Sequence, residues 1–249
     1  MPMKLALLSD IHSNLEAVTA CLAHARSHGA DRYAFLGDLV GYGADPVPVL
    51  DLIEEYAAAG AVVVLGNHDA AAIGSLVDPL NASAQAAIAW TRTRLGDKQR
   101  SFLARLPLIV RDGNVLFVHS SAAAPERSIY ITGVAEAEAS IRAGSATYIF
   151  CGHVHEPKLY YLGAGGHLMP FRPVAGTPIP IEAHRQWLAI VGSAGQPRDG
   201  SNKACYALAD LARARLTFFR VAYDHESAAQ KIRSAGLPER LARRLERGA

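Results

Sequence analysis

Cysteine is scarce in this chain: its 249 residues hold three, Cys21, Cys151 and Cys205, odd in number and widely spaced. That excludes a disulfide framework and suggests a reducing compartment. Charge of one sign is scarce too. A formal net charge of +2 is too small to argue for a nucleic-acid backbone or a membrane surface as partner. No apolar run approaches the roughly 20 residues needed to span a bilayer. After Met1-Pro2-Met3-Lys4 the chain goes straight into a strand, which leaves no room for a signal peptide. Internal repeats, low-complexity linkers and breaks in composition are absent as well, so a single domain over 1–249 is expected, in the cytoplasm. What remains is a chain that is 50% hydrophobic, enough for a well-buried core and too much for extended disorder.

The organising stretch is Val62-Val63-Val64-Leu65-Gly66-Asn67-His68-Asp69. A short β-branched run reads as a buried strand that breaks at glycine and delivers an amide, an imidazole and a carboxylate. Alone it would pass for a loop with a capping asparagine. The same construction recurs at four other places. Leu5-Ala6-Leu7-Leu8 runs into Asp10 and His12, and Tyr33-Ala34-Phe35-Leu36 into Gly37-Asp38. Val115-Leu116-Phe117-Val118 meets His119, and Tyr148-Ile149-Phe150-Cys151 meets Gly152-His153-Val154-His155. Five strands that each end in a metal-grade side chain describe one site at one sheet edge.

The intervening segments support a parallel α/β sheet, whose sites lie at the carboxyl ends of its strands. Ser13-Asn14-Leu15-Glu16 fits a capping box ahead of a first helix, and Asp45-Pro46 fits a cap with proline at the first helical position of a second. Residues 70–106 read as a helical segment beside the site, with Asn81 capping a helix over 82–94. Asp112-Gly113 marks a hairpin, and a helix over 134–143 closes at Gly144. Short strands follow over 158–162, 167–171, 177–181, 187–191, 205–210 and 215–222, in the pattern of an antiparallel meander. Pro170, Pro173, Pro178 and Pro180 argue that the strands around them are edges or irregular. Two helices split at Gly236-Leu237-Pro238 end the chain, with an Arg-rich face read as solvated surface.

Carboxylates, imidazoles and one amide without a thiolate suit Mn, Fe, Co or Zn. Asp10, His12, Asp38, Asn67, His119, His153 and His155 are too many ligands for one ion and right for two that share a carboxylate. Asp38, alone on its strand end, is the candidate bridge. Two metals about 3.5–4 Å apart lower the pKa of a shared water and clamp phosphate oxygens. His68 is then free to protonate the leaving oxygen, with Asp69 holding its tautomer.

In the order Asp10-Ile11-His12, Gly37-Asp38, Gly66-Asn67-His68-Asp69, His119 and Gly152-His153-Val154-His155, these blocks resemble the calcineurin-like metallophosphoesterase superfamily, most closely its small bacterial and archaeal phosphodiesterases. The loop Gly192-Ser193-Ala194-Gly195-Gln196-Pro197-Arg198-Asp199-Gly200 resembles their last block. The resemblance implies a four-layer αββα sandwich with two mixed β-sheets, the second supplied by the meander. It implies two divalent transition-metal ions, manganese foremost among Mn, Fe, Co, Ni and Zn. Asp10, His12 and His155 would hold one ion and Asn67, His119 and His153 the other, with Asp38 bridging and His68 at the scissile phosphate. A bridging hydroxide would then cleave a phosphodiester or phosphomonoester of a small substrate. The phosphate-clamping Arg of the protein-phosphatase branch is replaced by the run Val40-Gly41-Tyr42-Gly43, so Arg198 or Arg127 is the expected substitute, and Asp69 stands where Glu is common. The alternatives are a symmetrical diadenosine-tetraphosphate hydrolase and a non-catalytic metal-binding scaffold. The expected partner is the small substrate, with neither membrane nor nucleic acid, and a homo-oligomer is left open.

Overall fold

Strand and helix alternate at the start of the chain because apolar runs and helix starts alternate in its sequence. The computed structural model describes residues 4–163 and 165–248, so the opening Met1-Pro2-Met3 lies outside the described residues. β1 (Lys4–Leu8), β2 (Arg32–Phe35) and β3 (Val62–Val63) are joined by α1 (Leu15–Ser27) and α2 (Pro46–Ala58). The three strands pair in parallel, with Leu7 opposite Ala34 and Phe35 opposite Val63. The α1 cap differs from the expected box. Asn14 takes the position, its side-chain oxygen accepting from the Ala17 amide at 3.1 Å, while Ser13 turns left-handed at φ 52°. Asp45 stands at the N-cap of α2 ahead of Pro46 as expected, but its side chain makes no cap hydrogen bond; it and Glu16 receive Lys231 at 2.8 and 2.5 Å.

The expected helical segment is α3 (Asn67–Ile73), α4 (Ala82–Arg94) and α5 (Asp97–Ala104), with Asn81 capping α4 through Ala84. β4 (Ile109–Asp112) and β5 (Val115–Val118) form the hairpin, its turn one residue later than expected, at Gly113-Asn114. α6 runs Val134–Gly144 and is closed by left-handed Ser145 rather than by Gly144. Then come β6 (Tyr148–Cys151), β7 (Lys158–Leu162), β8 (Leu168–Phe171), β9 (Ile179–Pro180), β10 (Trp187–Ile190), β11 (Ala204–Asp210) and β12 (Arg215–Val221), followed by α7 (His225–Ser234) and α8 (Glu239–Arg247).

The late strands do not form a sheet of their own. They are divided between two mixed sheets, ordered β3-β2-β1-β11-β12-β9 and β4-β5-β6-β10-β7-β8. β11 is buried at every position, so it needs cover on both faces and takes the central place beside β1. Pro170 and Pro180 sit on β8 and β9, the edge strands, where a missing amide costs no ladder bond. Leu7, Ala34, Phe117, Phe150, Leu159 and Phe218 fill the space between the sheets. Helices α1, α2 and α5 cover the outer face of the first sheet through Val18, Leu22, Val49, Ile53 and Leu103, and α6 covers the second through Ala137 and Ile141. The layers are therefore αββα. Each large apolar side chain buried this way contributes roughly 1.5–3 kcal/mol. Among the described residues no helix is long and apolar enough to cross a membrane.

Candidate dinuclear metal centre

The carboxyl ends of β1, β2, β5 and β6 and the start of α3 converge at one edge of the sandwich. They bring together all seven of the expected ligand residues, each of them buried. Two groups form around a shared carboxylate: Asp10, His12, Asp38 and His155, and Asp38, His119 and His153, with ligand atoms in each group within 4.8 Å of one another. Asn67 joins the second through its side-chain oxygen, 3.0 Å from His119 Nε2.

The backbone turns sharply to achieve this. Asp10, His12, Asp38, His153 and His155 all adopt left-handed φ angles between 50° and 67°. That conformation costs an L-residue about 1 kcal/mol or more, although Asp and His tolerate it better than branched residues. Strain of this kind at five ligand positions is affordable only where the surrounding packing imposes it. Two glycines make room: a Cβ at Gly66 would strike the Asp38 amide and carboxylate, and one at Gly152 would strike Ser9 Oγ and the Asp10 carboxylate. The glycines that precede Asn67 and His153 are thus steric requirements.

The ring nitrogens decide what the site holds. His12 Nδ1 lies 3.1 Å from the Val40 carbonyl and His155 Nδ1 2.6 Å from the Gln196 carbonyl. A carbonyl only accepts, so both Nδ1 atoms carry the hydrogen. The two Nε2 lone pairs are left facing each other at 3.2 Å. Asp10 Oδ1 stands 3.2 Å from the His155 nitrogen and Asp38 Oδ2 3.6 Å from that of His12. Burial holds both imidazoles well below the usual histidine range, so protons do not relieve the crowding. A cation between the acceptors does. In the second group His119 Nδ1 donates to the Leu36 carbonyl at 2.8 Å, and its Nε2 meets His153 Nδ1 at 3.2 Å and Asp38 Oδ1 at 3.4 Å. Burial pushes His119 down, but Asp38 and Asp10 outweigh it and raise the group to about 10. The carboxylates demand positive charge at that point. Burial lowers His153 to about 3, and its Nε2 is buried with no partner. Burial also raises Asp10 to about 7, while Asp38 stays well below the carboxylate range because His119, His68 and His12 overcome its burial. This donor set fits two divalent ions with mixed imidazole and carboxylate preference. Cys151 is no ligand: burial raises its thiol within the strand core.

His68 lies beside the shared carboxylate, its amide donating to Asp38 Oδ1 at 2.8 Å and its ring packed 4.4 Å from Tyr42 and 4.8 Å from His12. Burial lowers its imidazole to about 4, although Asp38 opposes this. Asp69 does not orient that ring. Consecutive residues on a helix point in different directions, and Asp69 turns away to accept the Leu39, Val40 and Gly66 amides at 2.8, 3.0 and 3.0 Å. His68 Nδ1 itself is buried without a partner. Asp69 ties the β2 end to the α3 start. Asp69→Ala is expected to strand three buried amides and cost about 3 kcal/mol or more, a fall of roughly 6–12 °C in melting midpoint for a chain this long. Thermal denaturation followed by circular dichroism checks it, and a midpoint within 2 °C of wild type contradicts the role.

Arg198 is half-buried at the rim, its guanidinium 5.7 Å from the Tyr42 ring. Arg127 is exposed and pairs with Asp78 at 3.3 Å. Asp199, next to Arg198 in the chain, pairs with Arg220. A cavity of about 220 Å³ adjoins Asn67 and His119, walled mainly by Leu65, Leu76, Val77, Leu108 and Pro125. Sequence reasoning passed over Tyr42 and Tyr130. Tyr130 stacks on His153 at 3.9 Å, and Tyr42 is marked in the sequence only by the glycines on either side of it.

A protein-family profile described as the calcineurin-like phosphoesterase superfamily domain matches residues 3–214. An uncharacterised protein of Methanocaldococcus jannaschii is 34% identical over 246 residues, covering 97% of this chain and 96% of that protein. The crystal structure of a metallophosphoesterase from Sphaerobacter thermophilus is similar with a TM-score of 0.87 and 34% identity, over 99% of both chains. A hypothetical protein from Pyrococcus horikoshii shares the fold at 22% identity and a TM-score of 0.77, again over 99% of both chains.

Proposed function

The chain belongs to the calcineurin-like phosphoesterase superfamily and is a metal-dependent phosphoesterase, and from that premise we propose that its substrate is a small phosphodiester or phosphomonoester and its native metal manganese. Asp10, His12 and His155 would hold one ion and Asn67, His119 and His153 the other, with Asp38 common to both groups. The observation that carries this reading is the facing pair of bare His12 and His155 nitrogens beside a carboxylate that both groups share. Two divalent ions bound there would lower the pKa of a water and offset the charge of phosphate oxygens.

The chain does the rest. Asp38 accepts the His68 amide, so the bridging carboxylate and the proton donor are positioned from one point. His68 delivers a proton to the leaving oxygen, and the negative charge that a phosphate brings favours its protonated form. Asp69 acts by holding the two loops together. Arg198 meets a phosphoryl group of the substrate, while Arg127 is exposed and engaged with Asp78. That cavity takes the organic group of the ester. The three buried, unpaired cysteines fit a cytoplasmic setting.

Turnover of bis-p-nitrophenyl phosphate and p-nitrophenyl phosphate in Mn²⁺ tests the proposal. Release of nitrophenolate from either is expected, and their ratio directs the substrate search. Silence with both esters, on protein that carries two ions, overturns it. Metal removal has a separate signature. Each ion present at 100 times its Kd contributes about 2.7 kcal/mol, or roughly 5–10 °C in a chain of this size. Chelation is expected to lower the melting midpoint by about 10–20 °C, reversibly on adding Mn²⁺. An unchanged midpoint contradicts a preformed two-ion site.

A further inference from the structure

The closing helices were expected to present an Arg-rich solvated face, and Arg240, Arg243 and Arg247 do so. Arg244 does not. Leu241, Ala242 and Leu245 dock α8 against α7 and the Tyr42 ring, which turns Arg244 inward toward the site. It lies beyond the segment matched by the family profile. Its Nη1 reaches Gln196 Oε1 at 3.5 Å, and Arg198 Nη2 reaches the same oxygen at 3.1 Å. Two guanidinium donors on one oxygen fix the orientation of the carboxamide. Gln196 Nε2 is then left buried with no acceptor, and Arg198 Nε is buried with none either. Neither Arg198 nor Arg244 forms an ion pair with a carboxylate among the described residues; the nearby Asp199 is engaged with Arg220. Gln196 also places this cluster at the metal centre, since its backbone carbonyl receives His155 Nδ1.

Two half-buried guanidiniums that repel each other, with the Arg198 Nε and the Gln196 Nε2 beside them buried and unpaired, suit an anion with several acceptor oxygens. We propose that Arg198, Arg244 and the Gln196 carboxamide form a subsite for a second phosphoryl group of the substrate, one that is not cleaved. The inference rests on the phosphoesterase reading above. The dinuclear centre provides cationic partners for the scissile phosphate, and this cluster provides them for another. Its tyrosine neighbour Tyr42 packs on both His12 and His68, which fixes the subsite relative to the reacting group. The substrate class is accordingly a bisphosphorylated small molecule, with one phosphate at each end of a short organic spacer.

Linear alkyl bisphosphonates with two to six carbons, titrated calorimetrically into Mn²⁺-loaded protein against monophosphonates of equal length, test this without turnover. At least one length is expected to bind about tenfold or more tightly than its monophosphonate, the gain typical of charge-assisted bonds. Arg244→Ala is expected to cut that advantage to about twofold, and Arg244→Lys to restore part of it by returning the charge without the fork. No advantage at any length, or an advantage equal in wild type and Arg244→Ala, overturns the subsite. Metal content and melting midpoint are read on each variant, and if Arg244→Ala fails to fold, Arg244→Met carries the comparison. Bisphosphonate preference in a protein that hydrolyses no ester would sustain the subsite while refuting the phosphoesterase reading, and hydrolysis without preference would do the reverse.

Discussion

Asp38→Asn is expected to lower kcat on bis-p-nitrophenyl phosphate by about 10³-fold or more while leaving the fold intact, because it removes the one carboxylate that both ligand groups contain. The amide is nearly isosteric and its oxygen can still accept the His68 amide, now made by Asp38 Oδ1 at 2.8 Å. What is lost is charge. Asp38 lies 3.6 Å from His12 and 3.4 Å from His119, and its anionic form is what raises His119 against the effect of burial. A neutral bridge holds two divalent ions close together poorly, so metal content measured by plasma emission should fall from two per chain to one or fewer. Wild-type turnover, or two tightly held ions in the variant, would contradict the assignment.

His68→Ala separates proton delivery from metal binding. The residue adjoins Asn67 but lies in neither ligand group, so both ions are expected to remain. The loss should depend on the leaving group. An alkoxide needs a proton as the bond breaks, and loss of a positioned acid costs about 10²–10⁴-fold in kcat. Nitrophenolate leaves as a stabilised anion, so the same variant should lose roughly tenfold or less on that ester. Rates on paired alkyl and nitrophenyl esters of one acid check the difference. An equal loss on both would make His68 a packing residue against Tyr42 and His12 rather than a proton donor.

That these seven residues would gather at one sheet edge was legible because most of them are announced locally. Asp10, Asp38, Asn67, His119 and His153 each follow a short apolar run, and ligation at a sheet edge needs that adjacency. The layered architecture was legible for a similar reason, since alternating strand and helix signals restrict how layers can stack. The division of late strands between the sheets was not. β11 pairs with β1 from the far end of the chain, Ala207 opposite Leu7, and no periodicity encodes a partner at that separation. Asp69 misled because adjacency in sequence suggests contact, whereas the α3 start sends it and His68 in different directions. Arg244 was read as surface because its neighbours Arg240, Arg243 and Arg247 are. Its inward aim depends on how α8 docks against Tyr42, which is tertiary information. The left-handed turns at Asp10, His12, Asp38, His153 and His155 left no mark at all, since the residues are chosen there for ligation rather than for conformation.

The most direct test is a crystal structure of the Mn²⁺-soaked protein with anomalous difference maps. Two peaks about 3.5–4 Å apart are expected, one among Asp10, His12 and His155, the other among Asn67, His119 and His153, with Asp38 touching both. A single peak, or peaks away from Asp38, would contradict the two-ion centre on which the phosphoesterase account depends.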